Sequence, residues 1–195
     1  MQLVLASNNA KKIAEITALL PQIGLLSLQD VGFSGDIPEP FDTFEQNAAQ
    51  KAETIWRFCG LPALADDSGL SVAALGGQPG VRSARYAGEP TDDRRNNEKL
   101  LAQMKGVQDR DAFFTCVIAL AGITGEIVFF KGQMPGNIAT SIAGAGGFGY
   151  DPLFIPEGET QTLADLPAAF KAARSHRAQA LLRLKDYLRQ TLRAL

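Results

Sequence analysis

The polar and apolar positions of the chain alternate between two periods. Gln2 to Ala6 is a short apolar run suited to a buried strand. Ser7-Asn8-Asn9 offers turn and cap residues. From Lys11 to Leu20 the apolar residues Ile13, Ile16, Leu19 and Leu20 recur at helical spacing, and Pro21 and Gly24 stop the pattern. Gly35 to Asp42 is Pro-rich and reads as loop. Thr43 can cap a helix from Phe44 to about Cys59, with Phe44, Ala48, Ala52, Ile55 and Cys59 on its buried face. Gly60-Leu61-Pro62 ends it. Ala63 to Ala65 reads as a brief strand that stops at two aspartates, and Thr91 to Met104 as a polar helix. Ala112–Ala121 and Glu126–Lys131 flank Gly122-Ile123-Thr124-Gly125, which predicts a hairpin. Asn137 to Ile142 is a candidate further strand. Arg174 to Leu195 reads as one long closing helix, with Ala180, Leu181, Leu184, Leu188 and Leu192 at 3–4 spacing. Strands and helices intermix, so the pattern predicts α/β or α+β with a mixed sheet, not a purely parallel one.

Composition narrows the class. The chain has 195 residues, 46% hydrophobic and 21% charged, which fits one large domain or two packed lobes. No apolar run reaches the roughly 18 residues of a membrane span. The first residues carry no basic n-region, so a cytoplasmic protein is expected. Cys59 and Cys116 match neither a redox nor a zinc spacing and read as small packed hydrophobes. The formal net charge is −2, so no global basic field draws nucleic acid, and a strongly anionic ligand must be met by a local cluster of Lys and Arg.

Five segments could carry chemistry. Ser7-Asn8-Asn9-Ala10-Lys11-Lys12 joins strand to helix, and a helix N-terminus with two lysines suits a phosphate; an ordinary cap with solvated lysines is the alternative. Asp66-Asp67 precedes Ser68-Gly69. Adjacent aspartates on an extended backbone point to opposite faces, so one can act as a Mg²⁺ ligand or base while the other braces a loop; a solvated turn is the alternative. Glu39 sits between two prolines that stiffen its loop. Gly144 to Gly149 is dense in glycine and continues into Phe148-Gly149-Tyr150-Asp151. The backbone there can approach a ligand closely, and Phe148 and Tyr150 offer aromatic surface for a base; a glycine-rich turn is the alternative. Ser175-His176-Arg177, with Lys171 upstream, could bind a purine edge or a phosphate. There is no Gly-Lys-Ser/Thr P-loop and no Gly-x-Ser-x-Gly elbow.

Taken together, these segments resemble the inosine triphosphate pyrophosphatase family, the XTP/dITP diphosphatases. The motifs run in matching order from Leu5 to Leu182: Ser7 to Lys12 with Glu15, Thr43-Phe44 with Asn47-Ala48 and Lys51-Ala52, Ala65 to Leu70, Ser83-Ala84-Arg85-Tyr86, Gly147 to Phe154, and Ser175-His176-Arg177. Phe41, Gln46 and Phe170 depart from the family pattern. The resemblance implies an elongated two-lobed α/β fold around a long twisted mixed sheet, forming a single domain with a central substrate cleft, and a homodimer. It implies Mg²⁺-dependent hydrolysis of ITP, dITP and XTP to the monophosphate and pyrophosphate. It also implies that Ser7 to Lys12 bind the triphosphate. Asp67 would be the proton acceptor and a metal ligand, and Glu39 the second metal carboxylate. Ser68, Phe148, Gly149, Tyr150, Asp151, Lys171, His176 and Arg177 would contact the nucleotide. Lys12 and Lys51 could take up charge on the leaving pyrophosphate. Two other readings stand beside this one: a pyrophosphatase for modified pyrimidine nucleotides, against which the Ser-His-Arg and Phe-Gly-Tyr-Asp motifs speak, and a nucleotide-binding regulator without catalysis.

Overall fold

A computed structural model describes residues 2–194, with side chains as far as Thr191. The elements in chain order are β1 (Gln2–Leu5), α1 (Ala10–Leu19), β2 (Gly24–Leu26), α2 (Phe44–Cys59), β3 (Ala63–Val72), α3 (Asp93–Gln103), β4 (Asp111–Ala121), β5 (Val128–Ile138), β6 (Phe154–Pro156), α4 (Ala168–Arg174) and α5 (His176–Ala194). The six strands form one sheet in the order β2-β1-β3-β4-β5-β6. β1 pairs in parallel with β2 and β3, and β5 pairs antiparallel with β6, so the sheet is mixed as expected. The connection from β4 to β5 is too short for a parallel crossover, which makes that pair a hairpin.

The chain divides into two compact units. The first comprises Met1–Asp67, Cys116–Gly132 and Arg177–Leu195. Its core follows from strand alternation. Leu3, Leu5, Leu64, Cys116, Ile118 and Leu120 lie on one face of the sheet with Ile16 of α1 and Leu181, Leu184 and Leu188 of α5. Val4, Ala63, Ala65, Val117, Ala119 and Ala121 lie on the other with Ala48, Ala52 and Ile55 of α2. The alanines on both sides of this second layer leave little side chain between helix and sheet. At the end of α2, Gly60 adopts the left-handed conformation (φ 71°) that closes a helix.

The second unit comprises Ser68–Thr115 and Gln133–His176. Its core gathers Leu70 and Val72 of β3, Leu100 of α3, Phe114 of β4, Met134 and Ile138 of β5, and Tyr150, Leu153 and Phe154. Arg110 fastens two ends of this unit. Its Nη1 donates to the Met104 carbonyl at 3.1 Å, and its Nη2 to the Ala139 carbonyl at 2.7 Å.

Three expectations need correction. The strand that starts at Ala63 does not stop at the aspartates; β3 carries both of them and continues to Val72. Glu126–Lys131 and Asn137–Ile142 are not two strands, because β5 runs from Val128 to Ile138 and ends there. The closing helix is broken. Ser175 takes an extended ψ of 157°, which separates α4 from α5. Leu195 and the Leu192 side chain of that expected helix lie outside the described residues.

The β5–β6 pair is tightly built. A Cβ on Gly136 would stand 2.2 Å from the carbonyl oxygen of Ile155. Backbone cannot yield as a side-chain tip can, so Gly136→Ala should lower stability by about 2–3 kcal/mol in urea unfolding.

Candidate active site

The carboxyl end of β1 lies beside the first half of β3, at the point where the strand order turns, since β2 lies on one side of β1 and β3 on the other. Such a point is where parallel α/β sheets bind ligands. The register places Val4 beside Ala63 and Leu5 beside Leu64, so β1 ends just before Asp66 and Asp67. Both aspartates are buried, at 2% and 4% exposure.

Strand alternation then separates them. Asp66 shares its face with Leu64 and meets α1 and α5. Its Oδ2 lies 3.1 Å from Lys12 Nζ and 3.2 Å from Arg177 Nη2. Arg177, 2% exposed, also bonds Glu15. Asp67 shares its face with Ala63 and Ala65 and meets α2. Its Oδ2 accepts a hydrogen bond from Asn47 Nδ2 at 3.1 Å, and its Oδ1 lies 3.9 Å from Lys51 Nζ. Lys51 donates to Glu39 Oε1 at 2.5 Å and to the Asp66 carbonyl at 2.7 Å. Asn47 also bonds both the N–H and the carbonyl of Phe41, at 3.0 Å each, and so ties down the Pro-rich loop that carries Glu39. The Phe41 side chain is itself exposed.

Burial acts on the two aspartates alike, and their neighbours decide the outcome. It pushes Asp66 up, but Lys12, Arg177 and Lys51 outweigh it and hold the carboxyl well below the usual carboxylate range. It pushes Asp67 up to about 6, aided by Glu39 and only partly opposed by Lys51, Lys12 and Asn47. Lys51 is held above its ordinary value, since Asp67, Asp66 and Glu39 overcome its burial.

Glu39 and Asp67 thus lie within 4 Å of one ammonium group. Among the described residues no group of three or more His, Cys, Asp or Glu could hold a metal. Two carboxylates do suit Mg²⁺, which keeps several waters and is completed by substrate phosphates rather than by an all-protein cage.

At the start of α1, the Asn9 side chain accepts from the N–H groups of Lys11 and Lys12 at 3.1 Å each, and Ser7 Oγ accepts from Asn9 N–H at 3.2 Å. Asn9 therefore caps the helix, but Lys12 pairs with Asp66 instead of being solvated, and those two N–H groups are engaged by the chain itself. Asn8, Ala10 and Lys11 are exposed.

The second unit holds the other expected residues. Asp151 Oδ2 accepts from Phe148 N–H at 2.9 Å and from Lys171 Nζ at 2.7 Å. The Lys171 ammonium lies 4.2 Å from the centroid of the Phe148 ring, a cation–π contact. Ser68 is half-buried. His176, the first residue of α5, stacks on Phe114 with ring centroids 4.8 Å apart. Tyr150 corrects an expectation. It is 3% exposed and donates from its hydroxyl to the Ser83 carbonyl at 2.8 Å, so it is a core residue and not a stacking surface. Phe170 packs against this core.

Sequence reasoning did not single out Asn47 for its carboxamide, although a polar residue beside Ala48 on the buried face of a helix was the available signal. Both cysteines are free, and burial pushes the Cys116 thiol up to about 12, where it is inert.

A model of the Ham1 family matches residues 3–187. The chain belongs to the Ham1 family. Among curated members, a dITP/XTP pyrophosphatase of Geobacter sulfurreducens is 48% identical over 96% of both chains. Another, of Porphyromonas gingivalis, is 46% identical over 96% of this chain and 97% of its own. Among solved structures, the Ham1 protein of Staphylococcus aureus superposes with a TM-score of 0.91 at 39% identity, covering 97% of this chain and 99% of its own. The Ham1 fold and the resemblance read from the motifs therefore agree.

The aspartates make opposite predictions for stability. The folded pKa of Asp67 lies above its unfolded value, so its contribution falls as pH rises from about 4 to about 6. In metal-free buffer at pH 8, Asp67→Asn should be more stable than the parent by about 1–3 kcal/mol, and the gain should fade as pH falls through that window. Asp66 contributes above its unfolded value and loses this as pH falls. Asp66→Asn leaves Lys12 and Arg177 facing each other and should cost about 3 kcal/mol or more at pH 7. Urea unfolding across pH checks both.

Proposed function

We propose that this chain hydrolyses non-standard purine nucleoside triphosphates, ITP, dITP and XTP, to the monophosphate and pyrophosphate. The observation that carries the reading is the division of labour between Asp66 and Asp67. One is neutralised by two cations. The other is buried against Asn47 with Lys51 and Glu39 beside it, and without a metal its proton affinity is raised by that burial. The pyrophosphatase relatives support the same reading.

Asp67 is assigned as the base that orients and deprotonates the attacking water. Asn47 fixes the carboxylate from α2, and Lys51 keeps Glu39 and Asp67 close without neutralising either fully. Glu39 and Asp67 would hold Mg²⁺, which supplies charge stabilisation on the phosphoryl oxygens when bound. Ser7 to Lys12 are assigned to the triphosphate. There Lys12 acts from its pair with Asp66, and Lys11 adds charge at the start of α1.

Phe148 is assigned as the stacking surface for the base, with Gly149, Tyr150 and Asp151 building its loop and Ser68 a further contact. Lys171 and His176 would offer hydrogen-bond donors to the 6-oxo group that inosine and xanthine carry where adenine carries an amino group. Arg177 serves first to neutralise Asp66. We further assign residues 1–195 to one functional domain, and the resemblance supports a cytoplasmic homodimer. Among the described residues no helix is long and apolar enough to cross a membrane.

With Mg²⁺ and a panel of nucleoside triphosphates, pyrophosphate release from ITP and XTP should exceed that from ATP by at least about 100-fold, well within the roughly 10⁴–10⁵-fold open to a site that pairs a substrate's polar groups. Equal rates would remove the substrate assignment. Asp67→Asn should lower kcat by at least about 100-fold, as expected for loss of a general base.

A further inference from the structure

Phe148 stands between two glycines with positive φ, Gly147 at 73° and Gly149 at 61°. A loop of this kind does not hold an aromatic ring in place by its own backbone preference. The structure restrains it further: Lys171 lies against the ring, and the backbone on either side is held. Before the ring, Asp151 accepts the Phe148 N–H at 2.9 Å, and a Cβ at Gly147 would collide with that same carboxylate at 2.0 Å. After the ring, both polar backbone groups of Gly149 are taken up by α3. Its N–H donates to Asp93 Oδ2 at 2.8 Å, and its carbonyl accepts from Asn97 Nδ2 at 2.8 Å.

Asp93 and Asn97 lie one helical turn apart, so they present an acceptor and a donor on one face of α3. Asn97 is 4% exposed and also donates to the Asp93 carbonyl at 2.7 Å, which fixes the orientation of its amide. Its Oδ1 is buried with no hydrogen-bond partner among the described residues. A buried acceptor left so costs about 1–3 kcal/mol. Helix capping does not require either residue, because Asp92 caps α3 by accepting from Arg95 N–H at 2.9 Å.

We propose that Asp93 and Asn97 are positioning residues for the nucleobase: by clamping Gly149 from both sides they hold the Phe148 ring where the base of the substrate stacks. This rests on the assignment of Phe148 given above. The clamp acts on the base end of the substrate and touches none of the groups assigned to the water or the phosphates. Its loss should therefore appear in KM and leave kcat in place.

The test measures kcat and KM for ITP hydrolysis with Mg²⁺ in four variants. Asp93 is exposed, so Asp93→Ala keeps the fold, which a melting curve checks. It should raise KM about tenfold, the loss expected for a charge-assisted hydrogen bond, with kcat within about twofold. Asp93→Asn retains an acceptor for the Gly149 N–H and should recover most of that loss. Phe148→Ala should raise KM by at least as much. The double variant Phe148→Ala/Asp93→Ala should be no worse than Phe148→Ala alone, since the clamp acts only through the ring. If Phe148→Ala leaves KM unchanged, the stacking assignment fails and the clamp fails with it. If Phe148→Ala raises KM but Asp93→Ala does not, or the two effects add in the double variant, the clamp alone is overturned.

Discussion

Two neighbouring carboxylates are buried in the middle of a strand, and much of the first unit is arranged around that burial. Taking an ionised carboxylate out of water costs several kcal/mol unless it is paired and hydrogen-bonded. A strand sends Asp66 and Asp67 to opposite faces, so the two need partners from different layers. On one face α1 brings Lys12 and Glu15 while α5 brings Arg177. On the other, α2 brings Asn47 and Lys51. The same alternation that sorts the leucines from the alanines around them also sorts the charges.

The faces are not equally furnished, and the inequality is what makes the pair chemically useful. Asp66 meets two cations at bonding distance and is held ionised. Asp67 meets a carboxamide and the far side of an ammonium that is already bonded to Glu39. Equal burial thus yields one inert counter-ion and one carboxylate with a raised proton affinity. On the function proposed above, the stability given up at Asp67 would serve reactivity, a common trade at active sites.

How much of this the sequence discloses depends on whether a feature is set locally. Thr43 caps α2 as expected, with Gln46 N–H donating to its hydroxyl at 3.2 Å, because a cap needs only residues three apart. The apolar run of β4 is equally plain. The run Asp-Asp-Ser-Gly hides the continuation of β3, because these residues disfavour strands and only the neighbouring strands and cations reverse that preference. The break at Ser175 is invisible for a related reason, since the apolar spacing of α5 extends smoothly back towards Arg174. Tyr150 misled because composition shows an aromatic ring without showing where it points. The motif order made the candidate residues legible; which of them face one another came only from the alternation along β3 and the choice of helix on each face.

The cations of the first unit bear on how a triphosphate could be accepted. A chain with a net charge of −2 needs a local basic cluster for such a ligand. Lys12, Lys51 and Arg177 do cluster, but each is already matched by Asp66, Asp67, Glu39 or Glu15. The pairs named here match three cations to four carboxylates. Such a set offers direction and hydrogen bonds to a polyphosphate but little net attraction. A ligand carrying its own divalent counter-ion removes that difficulty, because the cation adds positive charge next to Glu39 and Asp67, where like charges oppose each other. On the function proposed above, these side chains would suit a metal-complexed nucleotide better than a bare one. The same basic residues also keep four carboxylates in place.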